Sequence, residues 1–96
     1  MTGYILYPRA AKDIDEIWDY TFSNWGTEQA DDYTNMIRSA CAKLADNPNS
    51  GRPCQKLKGN FSQYPVGSHI IFYLKTDRSI DIVRILHQRM DYMRHM

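Results

Sequence analysis

Two histidines, two arginines and a tyrosine in the last third of this 96-residue chain have side chains suited to chemistry: His69, Arg84, His87, Arg89 and Tyr92. An imidazole can take and return a proton near neutrality, a guanidinium can steady a developing negative charge, and an aromatic ring can stack on a base. His87 and Arg89, at the end of one strand, could converge with His69 on the neighbouring strand as an acid–base arrangement. Each residue also has a plainer reading. His69, in an apolar run, suits a histidine that is simply hydrogen-bonded. Arg84, between Val83 and Ile85, needs a carboxylate or a solvent-facing sheet surface, with Asp81, Asp91 or an acidic group of the helices as partner. Met90 and Asp91 either close the end of the core and cap the tail, or join a contact surface.

These residues sit in strands whose alternation can be read directly. Residues 61–66 suit a strand weakened by Pro65, and Gly67 marks a tight turn. In the stronger strand 68–75, Ile70, Phe72 and Leu74 point one way and His69, Ile71 and Tyr73 the other. Thr76-Asp77-Arg78-Ser79 makes a four-residue hairpin turn. Residues 80–87 are apolar on both faces, as in a central strand. Strict alternation there groups Ile80, Ile82, Arg84 and Leu86 against Asp81, Val83, Ile85 and His87. Residues 88–96 form an extension or a single helical turn.

Upstream, Tyr4-Ile5-Leu6-Tyr7 is a short β-prone run at or near a sheet edge. Pro8 ends it and suits the first turn of a helix. From Arg9 to Trp25 the period is helical, with Ile14, Ile17, Trp18, Thr21 and Trp25 on one face and Phe22 widening it. Trp18 and Trp25 read as core of the hairpin. Gly26 stops this helix and Thr27 caps the next. The second helix spans 28–46, with Ala30, Tyr33, Ile37, Ala40, Cys41 and Leu44 in a stripe, and Asn47-Pro48 ends it. The two-residue gap makes the helices antiparallel neighbours. Residues 48–60 form a long loop with Leu57 as its apolar anchor. The expected fold is α+β, in the order β-α-α-β-β-β, with an N-terminal helical hairpin packed on one face of a mostly antiparallel sheet. The opposite sheet face has no helix to cover it, so Arg84 or His87 could be exposed there, where another chain could dock.

The length fits one domain, residues 1–96, with one modest core. No run of 18 apolar residues suggests a membrane span, and the first ten residues lack a signal-peptide core, so a cytoplasmic location is expected. Cys41 reads as a buried small hydrophobe and Cys54 as a half-exposed thiol. They lack metal-site spacing, so no metal or cofactor is expected, and a Cys41–Cys54 bridge stays open. Residues 1–47 carry four Lys/Arg against eight Asp/Glu, a net of −4, and residues 48–96 carry eight against three, a net of +5. An acidic helical half and a basic sheet half follow, either neutralising one another or serving a partner.

Five segments in order carry a family resemblance: residues 8–17 (PRAAKDIDEI), 25–30 (WGTEQA), 47–51 (NPNSG), 67–73 (GSHIIFY) and 83–91 (VRILHQRMD). The chain resembles ParE-type toxins of the RelE/ParE superfamily, the toxic halves of bacterial type II toxin–antitoxin modules, almost end to end. The resemblance implies a toxin that stalls DNA gyrase on cleaved DNA, more a poison than an enzyme. It also implies a hetero-oligomer with a ParD-like antitoxin whose disordered segment folds onto the toxin. Arg84, His87, Arg89, Met90 and Asp91 become candidates for target contact, and Ile17, Trp18, Tyr20, Tyr33 and Ile37 for antitoxin binding. RelE-type relatives of the same fold cleave ribosome-bound mRNA. For that alternative the candidate residues are His69, Arg84, His87, Arg89 and Tyr92, and a non-toxic antitoxin-binding relative is the third reading. Many relatives carry an arginine where this chain has Asn60-Phe61-Ser62-Gln63, which removes basic groups near His69.

Overall fold

The computed structural model describes residues 3–96. Strand β1 (Gly3–Leu6) leads into helices α1 (Pro8–Trp25) and α2 (Thr27–Asp46), followed by β2 (Arg52–Pro53), β3 (Phe61–Val66), β4 (His69–Lys75) and β5 (Ser79–His87). Short 3-10 turns occupy Pro48–Ser50 and Tyr92–Arg94. The sheet order is β1-β5-β4-β3-β2, with β1 parallel to β5 and every other pair antiparallel. The α+β layout agrees with expectation, and the two-residue β2 is an addition inside the long loop.

Pro8 opens α1, where its missing N–H leaves no bond unmade. Gly26 separates the helices at φ +92°, a conformation that an L side chain resists, so the chain can reverse within one residue. Gly26 itself stands at the N-cap of α2 and Thr27 is already helical, without the expected side-chain cap. The hairpin buries Ile14, Ile17, Ile37, Cys41 and Leu44 against Ile71, Tyr73, Ile80, Ile82 and Ile85 of the sheet. Each such side chain contributes about 1.5–3 kcal/mol by leaving water. The Tyr73 hydroxyl donates to the Pro48 carbonyl (2.8 Å) and accepts from the Gly51 N–H (3.1 Å), fastening the loop to the core.

Strict alternation fails in β5. Phe72 pairs with Arg84 but Tyr73 pairs with Ile82, so Val83 is an extra residue in a bulge. Beyond the bulge the faces exchange. Ile85 joins the helix-covered core with Ile80 and Ile82, while Leu86 packs on the other face with Phe72. That other face is not bare as expected. Cys54, Phe72 and Leu86 form a second small core, covered by Leu57 and Phe61 and by Tyr92 from the tail. A segment needs no helix to cover a sheet if it brings enough apolar side chains, and the 52–61 segment does so.

Two further expectations change. Cys54 is buried, not half-exposed, and it lies in the second core while Cys41 lies in the first; both thiols are free. A bridge between them would have to cross the sheet. Trp25 is 59% exposed and Phe22 is also exposed, so neither belongs to the core. Trp18 is half-buried, stacked on Phe22 (centroids 5.1 Å), and its indole N–H donates to Asp31 (2.8 Å), which ties α1 to α2.

Candidate functional site

Strand β1 stops at Leu6, and Tyr7 makes the last bond to β5, its N–H donating to the Ile82 carbonyl (2.9 Å). The rest of β5 therefore has no strand beyond it. Helix α1 fills this gap with one carboxylate. Asp13, buried, accepts the Ile85 backbone N–H (3.0 Å), Arg84 Nε (2.9 Å) and Arg84 Nη2 (3.1 Å), and also Arg9 Nη1 (2.8 Å). Arg84 Nη1 donates to the carbonyl of His95 and so fastens the tail as well. Arg84 is thus buried and fully engaged, neither exposed nor free to meet a target. The bulge explains the geometry, because it sets Arg84 on the Leu86 side of the sheet, from which its guanidinium wraps the open edge to reach α1.

His69 and His87 are direct cross-strand partners, with rings edge-on at 5.2 Å. Tyr33 of α2 reaches down to them. Its hydroxyl accepts the Ser68 N–H (2.9 Å) and is hydrogen-bonded to His69 Nδ1 (2.7 Å). Burial first, then the neighbouring His87, lowers the His69 pKa from 6.5 to about 4, so this ring is neutral at physiological pH. His87 Nδ1 accepts the Arg89 N–H (3.1 Å). A cleft of about 340 Å³ opens beside this pair, lined among others by Arg9, Glu16, Tyr20, His87, Met90 and His95. A second cleft of about 260 Å³ shares Tyr20, His69 and His87 and continues to Trp25 and Tyr33.

The remaining candidates divide by position. Arg89, Met90 and Asp91 are exposed just past β5, and the Asp91 carboxylate accepts the Met93 N–H (3.3 Å), capping the closing turn. Tyr92 lies in the second core, 5.0 Å from Phe72, on the sheet face away from the histidines. Of the residues expected on the antitoxin side, Ile17 and Ile37 are core, Trp18 and Tyr33 are half-buried, and Tyr20 is 65% exposed. Among the described residues, no group of three or more His, Cys, Asp or Glu is arranged to hold a metal ion, and no helix is long and apolar enough to cross a membrane.

A family model for the ParE toxin of the type II toxin–antitoxin system parDE matches residues 4–92. The chain belongs to the ParE toxin family. It is 40% identical over 94 residues to Toxin ParE1 of Mycobacterium tuberculosis, covering 97% of this chain and 96% of that protein. It is 35% identical over 96 residues to Toxin ParE1 of Caulobacter vibrioides, covering 100% and 99%. A chain from a solved chromosomal ParDE TA system of P. aeruginosa shares the fold at TM-score 0.79 and 20% identity, over 91% of this chain and 96% of that one. The match to the family model takes in Asp13, Tyr33, His69, Arg84 and His87.

Sequence reading missed two of the site's organisers. Asp13 is absent from the apolar stripe read for this helix, yet Ala10, Asp13 and Ile17 stand three and four apart, the spacing of a buried stripe, and all three are buried. That spacing was the available signal. Tyr33 was readable as a stripe residue, but nothing in its neighbourhood indicated that its hydroxyl would orient a histidine 36 residues away.

Proposed function

We propose that this ParE-family toxin acts on DNA gyrase in the cytoplasm by binding rather than by catalysis, and that a ParD-like antitoxin holds it inactive in a hetero-oligomer. The observation that carries the non-catalytic reading is the state of the candidate catalytic groups. Arg84 is locked between Asp13 and the tail, Tyr92 is on the wrong sheet face, and His69 and His87 both use Nδ1 in internal hydrogen bonds. A nuclease needs a base, a cation and a stacking ring around one phosphate. Here Arg84 lines the same cleft as the two histidines but its guanidinium is taken up by Asp13 and the tail, and Tyr92 lies on the other sheet face. Exposed Arg89 and Met90, with His87 beside them, offer a contact surface instead. Arginine and large apolar side chains are common anchors at protein interfaces.

Family membership supports the toxin and antitoxin roles; the gyrase target rests on the resemblance. Purified gyrase with supercoiled DNA and this protein tests it. Cleaved DNA should accumulate, and Arg89→Ala with Met90→Ala should reduce it while leaving the fold intact. Ordinary gyrase turnover at high protein concentration refutes the target. Codon-positioned mRNA cuts that disappear in His87→Ala would replace the binding mechanism by an endoribonuclease.

A further inference from the structure

The geometry points to a cation-binding aromatic cleft at the tip of the helical hairpin, whose occupant is an arginine side chain of the antitoxin's toxin-binding segment. This rests on the antitoxin reading above. The walls of the 260 Å³ cleft include Tyr20, Trp25, Tyr33 and His69. Tyr20 and Trp25 stand edge to face with centroids 6.3 Å apart, and Tyr33 and His69 are tilted at 5.5 Å. Tyr20 and Trp25 remain 65% and 59% exposed, so large apolar ring faces meet solvent at this opening. Exposed aromatic rings grouped beside a cleft, unlike single scattered ones, mark an interaction surface.

The charge around the rings selects the occupant. Residues 13–37, the stretch that includes the hairpin tip, contain seven carboxylates (Asp13, Asp15, Glu16, Asp19, Glu28, Asp31, Asp32) and not one Lys or Arg. Glu28 and Asp32 share a depression with Trp25 on one side of the cleft. Glu16 lines the adjoining cleft on the other side, where it is paired with Arg9. Arg84 is buried on Asp13 and Arg9 is paired with Asp13 and Glu16, so neither brings an unpaired positive charge to the opening. His69 is uncharged and adds no repulsion. Aromatic faces inside a negative rim attract a cation and repel a carboxylate, and a planar guanidinium can stack on an indole while its edge meets carboxylates. The basic residues of the chain concentrate instead beyond residue 48. The antitoxin segment is therefore expected to be basic where it crosses the hairpin tip and acidic where it meets the sheet half.

N-acetyl-arginine amide, with N-acetyl-citrulline amide as its uncharged analogue, tests the site by NMR on the full chain. The Trp25 indole N–H should move saturably with the arginine compound, while the Trp18 indole, held by Asp31, stays in place. Citrulline should bind about fivefold more weakly or worse, and Tyr20→Leu (read at the Trp25 indole) or Trp25→Leu (read at the Tyr20 ring protons) should weaken arginine by a similar factor, as expected for loss of one cation–π face. Tyr20 and Trp25 are exposed, so both variants should fold, and unchanged circular dichroism checks this. Equal responses to arginine and citrulline overturn the site. In the purified toxin–antitoxin complex, the arginine response should vanish and return on replacement of the occupying antitoxin arginine by glutamine. A complex that still binds the probe at Trp25 overturns the occupant. Failure of any antitoxin to bind, with the arginine response intact in the free chain, would instead count against the antitoxin reading.

Discussion

Replacing Asp13 with asparagine should damage this fold more than replacing Arg84 with methionine, although the two residues form one ion pair. Asp13 accepts from Arg84 twice, from the Ile85 N–H and from Arg9. Among the described residues Asp13 is the carboxylate paired with Arg84, and the other acceptor of Arg84 is the His95 carbonyl. Asp13→Asn therefore leaves a buried guanidinium uncompensated, which costs about 3–5 kcal/mol. Arg84→Met leaves the carboxylate with half-exposed Arg9 and the Ile85 N–H, and keeps an unbranched apolar stem in place. Its cost should fall to about 1–3 kcal/mol. Against a total stability of roughly 5–15 kcal/mol for a domain, the first change threatens folding and the second does not. Urea titrations followed by circular dichroism read both values. The double variant should recover about 1 kcal/mol or more of the summed losses, because removing both charges leaves no orphan. An Arg84 variant as unstable as the Asp13 variant would refute the reasoning. An Arg84→Met protein that folds fully but has lost all activity would show that the guanidinium meets the target after all.

The pH dependence follows from His69. Its pKa falls from 6.5 unfolded to about 4 folded, so as pH drops through that window the unfolded chain takes up a proton that the folded ring refuses, and stability declines. That span is nominally about 3 kcal/mol, which screening at a half-buried ring reduces to about 1–2 kcal/mol. His69→Asn, which keeps an acceptor for Tyr33, should lose that much less than the parent between about pH 7.5 and about pH 4.5 in urea titrations; identical losses would refute it. Gly51→Ala should lower stability by about 1–3 kcal/mol by overpacking, because a Cβ there would meet the Tyr73 hydroxyl and lie 2.7 Å from the Gln63 carbonyl oxygen. Tyr73→Phe should relieve part of that loss in the double variant, and additive losses would argue that the hydroxyl is not the obstacle.

Alternation and helical period carried much of the architecture in the sequence. The faces of β4 are as its pattern predicts, with Ile71 and Tyr73 under the hairpin and Phe72 beneath the tail. In β5 the same rule misassigns Arg84 and Ile85, since one extra residue at Val83 leaves no mark in a run that is apolar on both faces. Trp25 keeps its helical spacing, but it is the last residue of α1, where its ring lines a cleft beside the β3–β4 turn instead of lying over the sheet. Periodicity states which way a side chain points and is silent on whether another element lies beneath it. The pairing of Arg84 was legible as a need for a carboxylate, but not which one, because Asp13 is 71 residues away.

The binding reading proposed above rests on how the polar groups of the two clefts are engaged. Asp13 makes four contacts within the fold, Arg84 fixes both α1 and the tail, and Tyr33 holds the His69 ring by Nδ1. These bonds give the clefts a fixed shape. Outward of them remain side chains with few internal obligations: Tyr20, Trp25, Met90 and Arg89. Tryptophan, tyrosine and arginine dominate the energetics of interfaces, where a rigid surround excludes water from them. The division separates two mutational classes. Changes at the buried ion pair should reach function only through stability, whereas changes at the exposed rings and at Arg89 should alter partner binding at constant stability. A site that turned over a substrate would mix the two, because its buried polar groups would themselves do the chemistry.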